Sequence, residues 1–259
     1  MEIVKKQTKM LVVSIASLLL LSVFLGGCGS KPAADTSPPA ADTPPSILWL
    51  NGTYAILTKA NECDVYVFGG MKSNMLNKQI MLASLDEWWG LTNKEEMDEM
   101  IDSLVVGRHN PMFLEEIEEY GIIDMSKSEF DEALQDVDDR LDVLYFQNMF
   151  DAYQRFGEKA IMGWDLSRAV QLCADGYIAG FYTYEEATDK ARKIGVIIQN
   201  TFDSWDDFFA SYFHGYAYWS DDDIEDANSE YTARMKILNE LKNDDKSPLN
   251  LDWDLDLSA

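Results

Sequence analysis

The chain has 259 residues, of which 46 are Asp or Glu and 21 are Lys or Arg, for a formal net charge of -25 at pH 7. That excess of acid excludes nucleic acid as a partner, because no basic stripe exists to release counterions from phosphates. It also disfavours direct docking on anionic lipid without bridging cations.

The N-terminal stretch reads as an address rather than as structure. Lys5, Lys6 and Lys9 form a positive region, Leu11 to Leu25 is an apolar run too short to span a bilayer comfortably, and Gly26 and Gly27 directly precede Cys28. The sequence "LGGC" resembles the lipobox of bacterial lipoproteins. The resemblance implies cleavage after residue 27 and lipid, including palmitate-type acyl chains, on Cys28. Two or three acyl chains exceed the single chain that gives only marginal anchoring, so the expected location is the extracytoplasmic face of a cell membrane. Cleavage would leave 18 basic against 45 acidic side chains, a net charge of -27. Residues 28–46 then hold the lipidated cysteine and a linker with five of the seven prolines and a "PAADT" unit at Pro32 and again at Pro39. Such a composition reads as a semi-rigid tether, roughly 50 Å long at about 3.1 Å per residue.

From residue 47 to about 245 the apolar pattern is helical almost throughout, which predicts an all-α fold. The expected architecture is one compact bundle of about seven to nine helices. Ile47, Leu50, Tyr54, Leu57 and Ala60 mark the first helix, and Asn77 to Trp89 the second. Thr92 with Glu95 reads as a capping box for a third, which carries Met97, Ile101 and Leu104 and ends at Gly107. Asn110 and Pro111 open a short helix that stops at Gly121. A long helix from Ser128 aligns Phe130, Leu134, Val137, Leu141 and Leu144 and breaks near Gly157. The next is expected from Lys159 to Ala174, closed by Gly176. Thr183 with Glu186 caps another that reaches Thr201. Ser204 with Asp207 begins "SWDDFFASYFHGYAYW", aromatic on nearly every face and so expected at the centre. Glu230 to Lys242 is a final amphipathic helix. The acidic tail, residues 246–259, alternates apolar residues with Asp, a pattern that suits a short strand or a disordered end.

Three blocks carry a family resemblance. "WWGLTNKEEMDEMIDSLVVGRHN", "GWDLSRAVQLCADGYIAGFYTYEEA" and "SWDDFFASYFHGYAYWS", in that order over residues 88–220, resemble the bacterial domain of unknown function 1266 family. The resemblance implies a compact helical domain without a characterised activity. In the family pattern the first block ends Gly-His-Arg, whereas this chain has Gly107, Arg108, His109.

Candidate functional residues are few. Trp164, Asp165 and Arg168 share one helix, and Asp165 and Arg168, three apart, can meet. They form either an ion pair tying central helices together or a polar pocket. In the pocket, Asp165 acts as acid or base and Arg168 or Arg108 holds an anionic ligand group. Arg108 and His109 follow a helix C-terminus, where positive charge is favoured. His214, within the aromatic helix, reads as a satisfied core histidine. Asp221, Asp223 and Glu225 alternate like calcium ligands, but Asp226 and Thr232 stand where the loop requires Gly and Glu, so only weak cation binding is expected. No metal motif, phosphate-binding loop, nucleophile elbow or dinucleotide fingerprint is present, and no cofactor is indicated. Cys63 and Cys173 could pair in an oxidising envelope, but the apolar setting of Cys173 favours buried free thiols.

The reading is a lipid-anchored binding or protein-interaction domain. Its rivals are a hydrolase-like enzyme at Asp165 and Arg168, and an acidic immunity or decoy protein against a cationic toxin. Partners consistent with the charge are the membrane through Cys28, and a basic protein or peptide or divalent cations.

Overall fold

A computed structural model describes residues 43–220 and 222–258. The expected signal peptide, Cys28 and most of the expected tether lie outside the described residues. Among the described residues the chain is all-α, with eleven helices and no strand. They are α1 (Pro45–Thr53), α2 (Ala55–Ala60), α3 (Met75–Trp89), α4 (Lys94–Val105), α5 (Asn110–Glu119) and α6 (Lys127–Leu134), followed by α7 (Arg140–Phe156), α8 (Met162–Ala179), α9 (Tyr184–Thr201), α10 (Trp205–Trp219) and α11 (Glu230–Asn243).

Two of the helices expected from the sequence are each broken in two. The first divides at Tyr54, whose hydroxyl donates to Asn51 Oδ1 and accepts from the Gly69 amide. The long helix from Ser128 divides after Leu134. Asp136, Asp138 and Asp139 follow closely, and the Asp139 carboxylate accepts from the Leu141 and Asp142 amides, so it caps α7 instead of continuing α6. Other caps fall one or two residues from their expected places. Asn93, not Thr92, caps α4, and Glu96 reaches back to the Thr92 amide and hydroxyl. The capping boxes of α6 (Ser126 with Glu129) and α9 (Thr183 with Glu186) are complete.

α8 is the axis of the fold. Every residue of it except Met162, Arg168 and Gln171 is buried, and α3, α4, α9 and α10 all lie against it. It runs past Gly176, the expected stop, and closes at Gly180 in left-handed conformation (φ 76°). Gly176 serves packing instead: a Cβ there would come within 2.5 Å of the Tyr182 ring. α8 and α10 approach at Gly163 and Gly215. The Ser211 hydroxyl of α10 accepts from the Gly163 amide and donates to the Ala160 carbonyl, so it pins α10 to the backbone at the start of α8. A second, smaller core of Phe113, Ile117, Phe130, Met149 and Phe150 joins α5, α6 and α7.

Both ends of the domain are tied in. Thr43, at the end of the predicted tether, donates its hydroxyl to the Tyr66 carbonyl, and α1 begins at Pro45. The acidic tail is neither strand nor loose end. Trp253 sits among Trp49 and Trp205 with ring centroids 5.3 and 5.0 Å away, and Leu257 is buried. All three indoles donate to carbonyls: Trp49 to Trp253, Trp205 to Leu251 and Trp253 to Phe202.

The Gly163 contact is testable. A methyl there would stand 2.6 Å from the Phe208 carbonyl oxygen and 2.7 Å from the Tyr212 amide nitrogen, backbone atoms that cannot swing aside. Gly163→Ala is expected to cost about 1–3 kcal/mol, a fall of roughly 2–10 °C in Tm for a domain of this size. An unchanged Tm would contradict the close approach.

Candidate functional site

Asp165 is fully buried in the first turn of α8, and its partners come from α5 rather than from its own helix. Its Oδ2 accepts from the amides of His109 (2.9 Å) and Asn110 (3.2 Å), and Oδ1 lies 2.5 Å from His109 Nδ1. His109 occupies the N-cap of α5 but offers no side-chain cap, so a carboxylate from a distant part of the chain takes that place. The negative charge meets the positive end of the α5 dipole. Facing a carboxylate, His109 Nδ1 acts as donor. Asn110 extends the junction: its amide nitrogen donates to the Glu158 carbonyl and its Oδ1 accepts from the Ile161 amide, just before α8.

The expected Asp165–Arg168 pair is not formed. No hydrogen bond or ion pair joins the two among the described residues, because α5 takes both oxygens of Asp165. Arg108 is exposed and reaches only Ser103 Oγ at 3.4 Å. The five residues grouped from the sequence thus separate into the Asp165–His109 junction, the Trp164–Arg168 contact and a peripheral Arg108.

Arg168 stands among tryptophans instead. Its guanidinium carbon is 4.2 Å from the Trp89 ring centroid, 4.7 Å from Trp164 and 5.5 Å from Trp219. Burial pulls its pKa down to about 10; the Asp165 charge opposes that shift, and Arg234 and Arg108 add to it. Arg234, on α11, lies 4.7 Å from the Tyr216 ring and donates to the Tyr212 hydroxyl at 3.3 Å. Its Nε is buried without a partner, as is the indole nitrogen of Trp164. Trp164 is in ring contact with both Tyr212 and Tyr216. The contrast with Trp49, Trp205 and Trp253, whose indole N–H groups are all satisfied, makes the Trp164 donor conspicuous.

The other sequence candidates have local explanations. His214 Nδ1 lies 2.8 Å from Asn148 Oδ1, and burial followed by the Arg155 charge pushes the imidazole pKa down to about 4. Asp223 and Glu225 both pair with Arg140; Asp221 lies outside the described residues. No group of three metal-ligating side chains occurs among the described residues. Cys63 and Cys173 are free, and burial pushes the Cys173 thiol up to about 12. No helix among the described residues is long and apolar enough to cross a membrane.

Sequence reading missed Arg234, Trp89 and Trp219, since nothing local connects α3, α10 and α11 to Arg168. It also missed Asp175, buried on α8 with one bond, from Gln171 Nε2 at 3.2 Å.

Residues 84–253 match the family model described as protein of unknown function (DUF1266). The chain belongs to that family. The matched span takes in α4 to α11 and ends at Trp253, so it includes Asp165, Arg168, Arg234 and the first part of the acidic tail. No curated protein and no solved structure matches the chain. Membership in DUF1266 brings the fold a family and leaves the chemistry to the residues.

Asp175 yields a pH prediction. Burial raises its carboxyl from the usual 3.8 to about 7. Between about pH 4 and pH 7 the folded chain therefore holds a proton that the unfolded chain has released, and stability falls as pH rises through that window. Asp175→Asn is expected to flatten this fall and to stabilise the domain above pH 7, by an amount on the order of a few kcal/mol. Urea unfolding at pH 4.5 and 7.5 measures it, and equal pH dependence in both proteins would contradict the assignment.

Proposed function

We propose that this DUF1266 chain is a lipid-anchored, extracytoplasmic binding domain whose ligand presents an anionic group to Arg168. The observation that carries the reading is the state of that arginine. In a protein with 46 acidic side chains, a largely buried guanidinium has three tryptophan faces and no carboxylate bonded to it. Two further buried donors, Trp164 Nε1 and Arg234 Nε, belong to the same aromatic cluster and are also unpartnered. An unsatisfied buried donor costs roughly 1–3 kcal/mol, which a carboxylate or phosphate oxygen would relieve. Trp219, half exposed beside Arg168, offers a face for a planar or apolar portion of the same ligand.

The acid–base reading of Asp165 has less support, because both carboxylate oxygens are committed to α5. The decoy reading is weakened by internal pairing of the acidic stretch: Asp206 with Lys242, Asp207 with Arg155, and Asp223 and Glu225 with Arg140. The anchor rests on the sequence around Cys28. Its direct check is incorporation of labelled palmitate, lost in Cys28→Ser.

The ligand class is tested by titrating the mature chain with phenyl phosphate, benzoate and benzyl alcohol while following tryptophan emission. The two anions are expected to give saturable changes that weaken with salt, and Arg168→Met to lower their affinity about tenfold or more. An equal response to benzyl alcohol, or unchanged affinity in a folded Arg168→Met variant, would defeat the proposal.

A further inference from the structure

A cleft of about 540 Å³ opens between α7, α10 and α11, on residues that the anion site does not use. Small-molecule sites commonly occupy roughly 300–1,000 Å³. Leu144, Phe209, Phe213, Ile224, Met235 and Leu238 supply apolar wall, and His214 and Asp151 bring polar groups to it.

The His214 ring is held in one tautomer. Asn148 Nδ2 donates to the His214 main-chain carbonyl at 3.0 Å, which fixes the Asn148 oxygen as the atom 2.8 Å from His214 Nδ1. Nδ1 must then carry the hydrogen, and Nε2 is left with its lone pair and no donor among the described residues. With its pKa down to about 4, the ring is neutral under physiological conditions. Asp151 follows Asn148 by three residues on α7 and so lies on the same face. Its carboxylate makes no bond to the protein among the described residues. The remaining acids of the cleft are already occupied, Asp206 by Lys242 and Glu225 by Arg140. Among the described residues the Gln147 amide and the Tyr231 hydroxyl on this cleft also lack a protein partner, but each can donate or accept; His214 Nε2 and Asp151 can only accept, one neutral and one anionic, beside an apolar wall. With Lys242 committed to Asp206, that combination favours donors over anions.

We propose that this cleft is a second binding site, for a small amphipathic amine whose ammonium group donates to His214 Nε2 and Asp151 while its apolar body lies along Phe213 and Leu238. The site is independent of Arg168, so the two proposals can fail separately.

The test uses the mature chain with hexylamine, hexanol and hexanoate at matched ionic strength, followed by calorimetry and by the ¹⁵N shift of His214 Nε2. Hexylamine is expected to bind saturably, at least about tenfold more tightly than hexanol, with hexanoate weakest, and to move the Nε2 resonance as a hydrogen bond forms. His214→Phe and Asp151→Asn are each expected to lower amine affinity about tenfold, and Arg168→Met to leave it unchanged. Asp151 is exposed, so its variant tests the head-group contact even if His214→Phe fails to fold. Absence of amine binding, equal affinity for hexanol, or full affinity in Asp151→Asn would overturn the proposal.

Discussion

A charged carboxylate buried in the first turn of the central helix must be satisfied, and how Asp165 meets that demand governs much of the arrangement. Removal of an ion from water costs several kcal/mol unless fixed partners replace the solvent. Asp165 obtains them from the first amides of α5, which have no partner within that helix, and from the His109 ring. The requirement thereby fixes where α5 begins relative to α8. With α5 placed, the second core that it shares with α6 and α7 has its position against the first.

The same solution leaves Arg168 without a carboxylate partner among the described residues. One turn along α8, it packs against tryptophans from α3, α8 and α10, while Arg234 approaches from α11 through Tyr212 and Tyr216. Aromatic faces attract a guanidinium but do not use its N–H groups as a carboxylate would. The cluster thus combines a well-packed frame with unfilled hydrogen-bonding capacity. On the other side of α10, His214 shows the opposite polarity, an acceptor held in one tautomer beside a cleft. α10 accordingly contributes to one donor-rich and one acceptor-rich surface, both framed by aromatic side chains.

Local chemistry was readable from the sequence where it acts within a few residues. Thr183 with Glu186 marks its helix start because both halves of the capping box lie within one turn, and Gly157 marks the end of α7 for a similarly local reason. The all-α class follows from apolar spacing alone. The break between α6 and α7 was hidden because Phe130, Leu134, Val137 and Leu141 keep helical spacing across it, while the Asp139 cap looks like one more surface acid. Gly176 looked like a terminator because a glycine needed for ring packing has no separate sequence mark. The Asp165 partners lie more than fifty residues away, whereas the sequence offers Arg168 three residues on as a counterion. The docking of the acidic tail was hidden for the same reason: its alternation shows which residues turn inward, but not that tryptophans from α1 and α10 await them.

The central claim is that Asp165 is coupled to α5 and not to Arg168. Double-mutant cycles on urea unfolding measure that directly: Asp165→Asn combined with His109→Ala, and Asp165→Asn combined with Arg168→Met. The account predicts a coupling of about 1–3 kcal/mol for the first pair and within about 0.5 kcal/mol of zero for the second. A large coupling between Asp165 and Arg168, with none to His109, would restore the ion pair and remove the basis for an unpaired arginine.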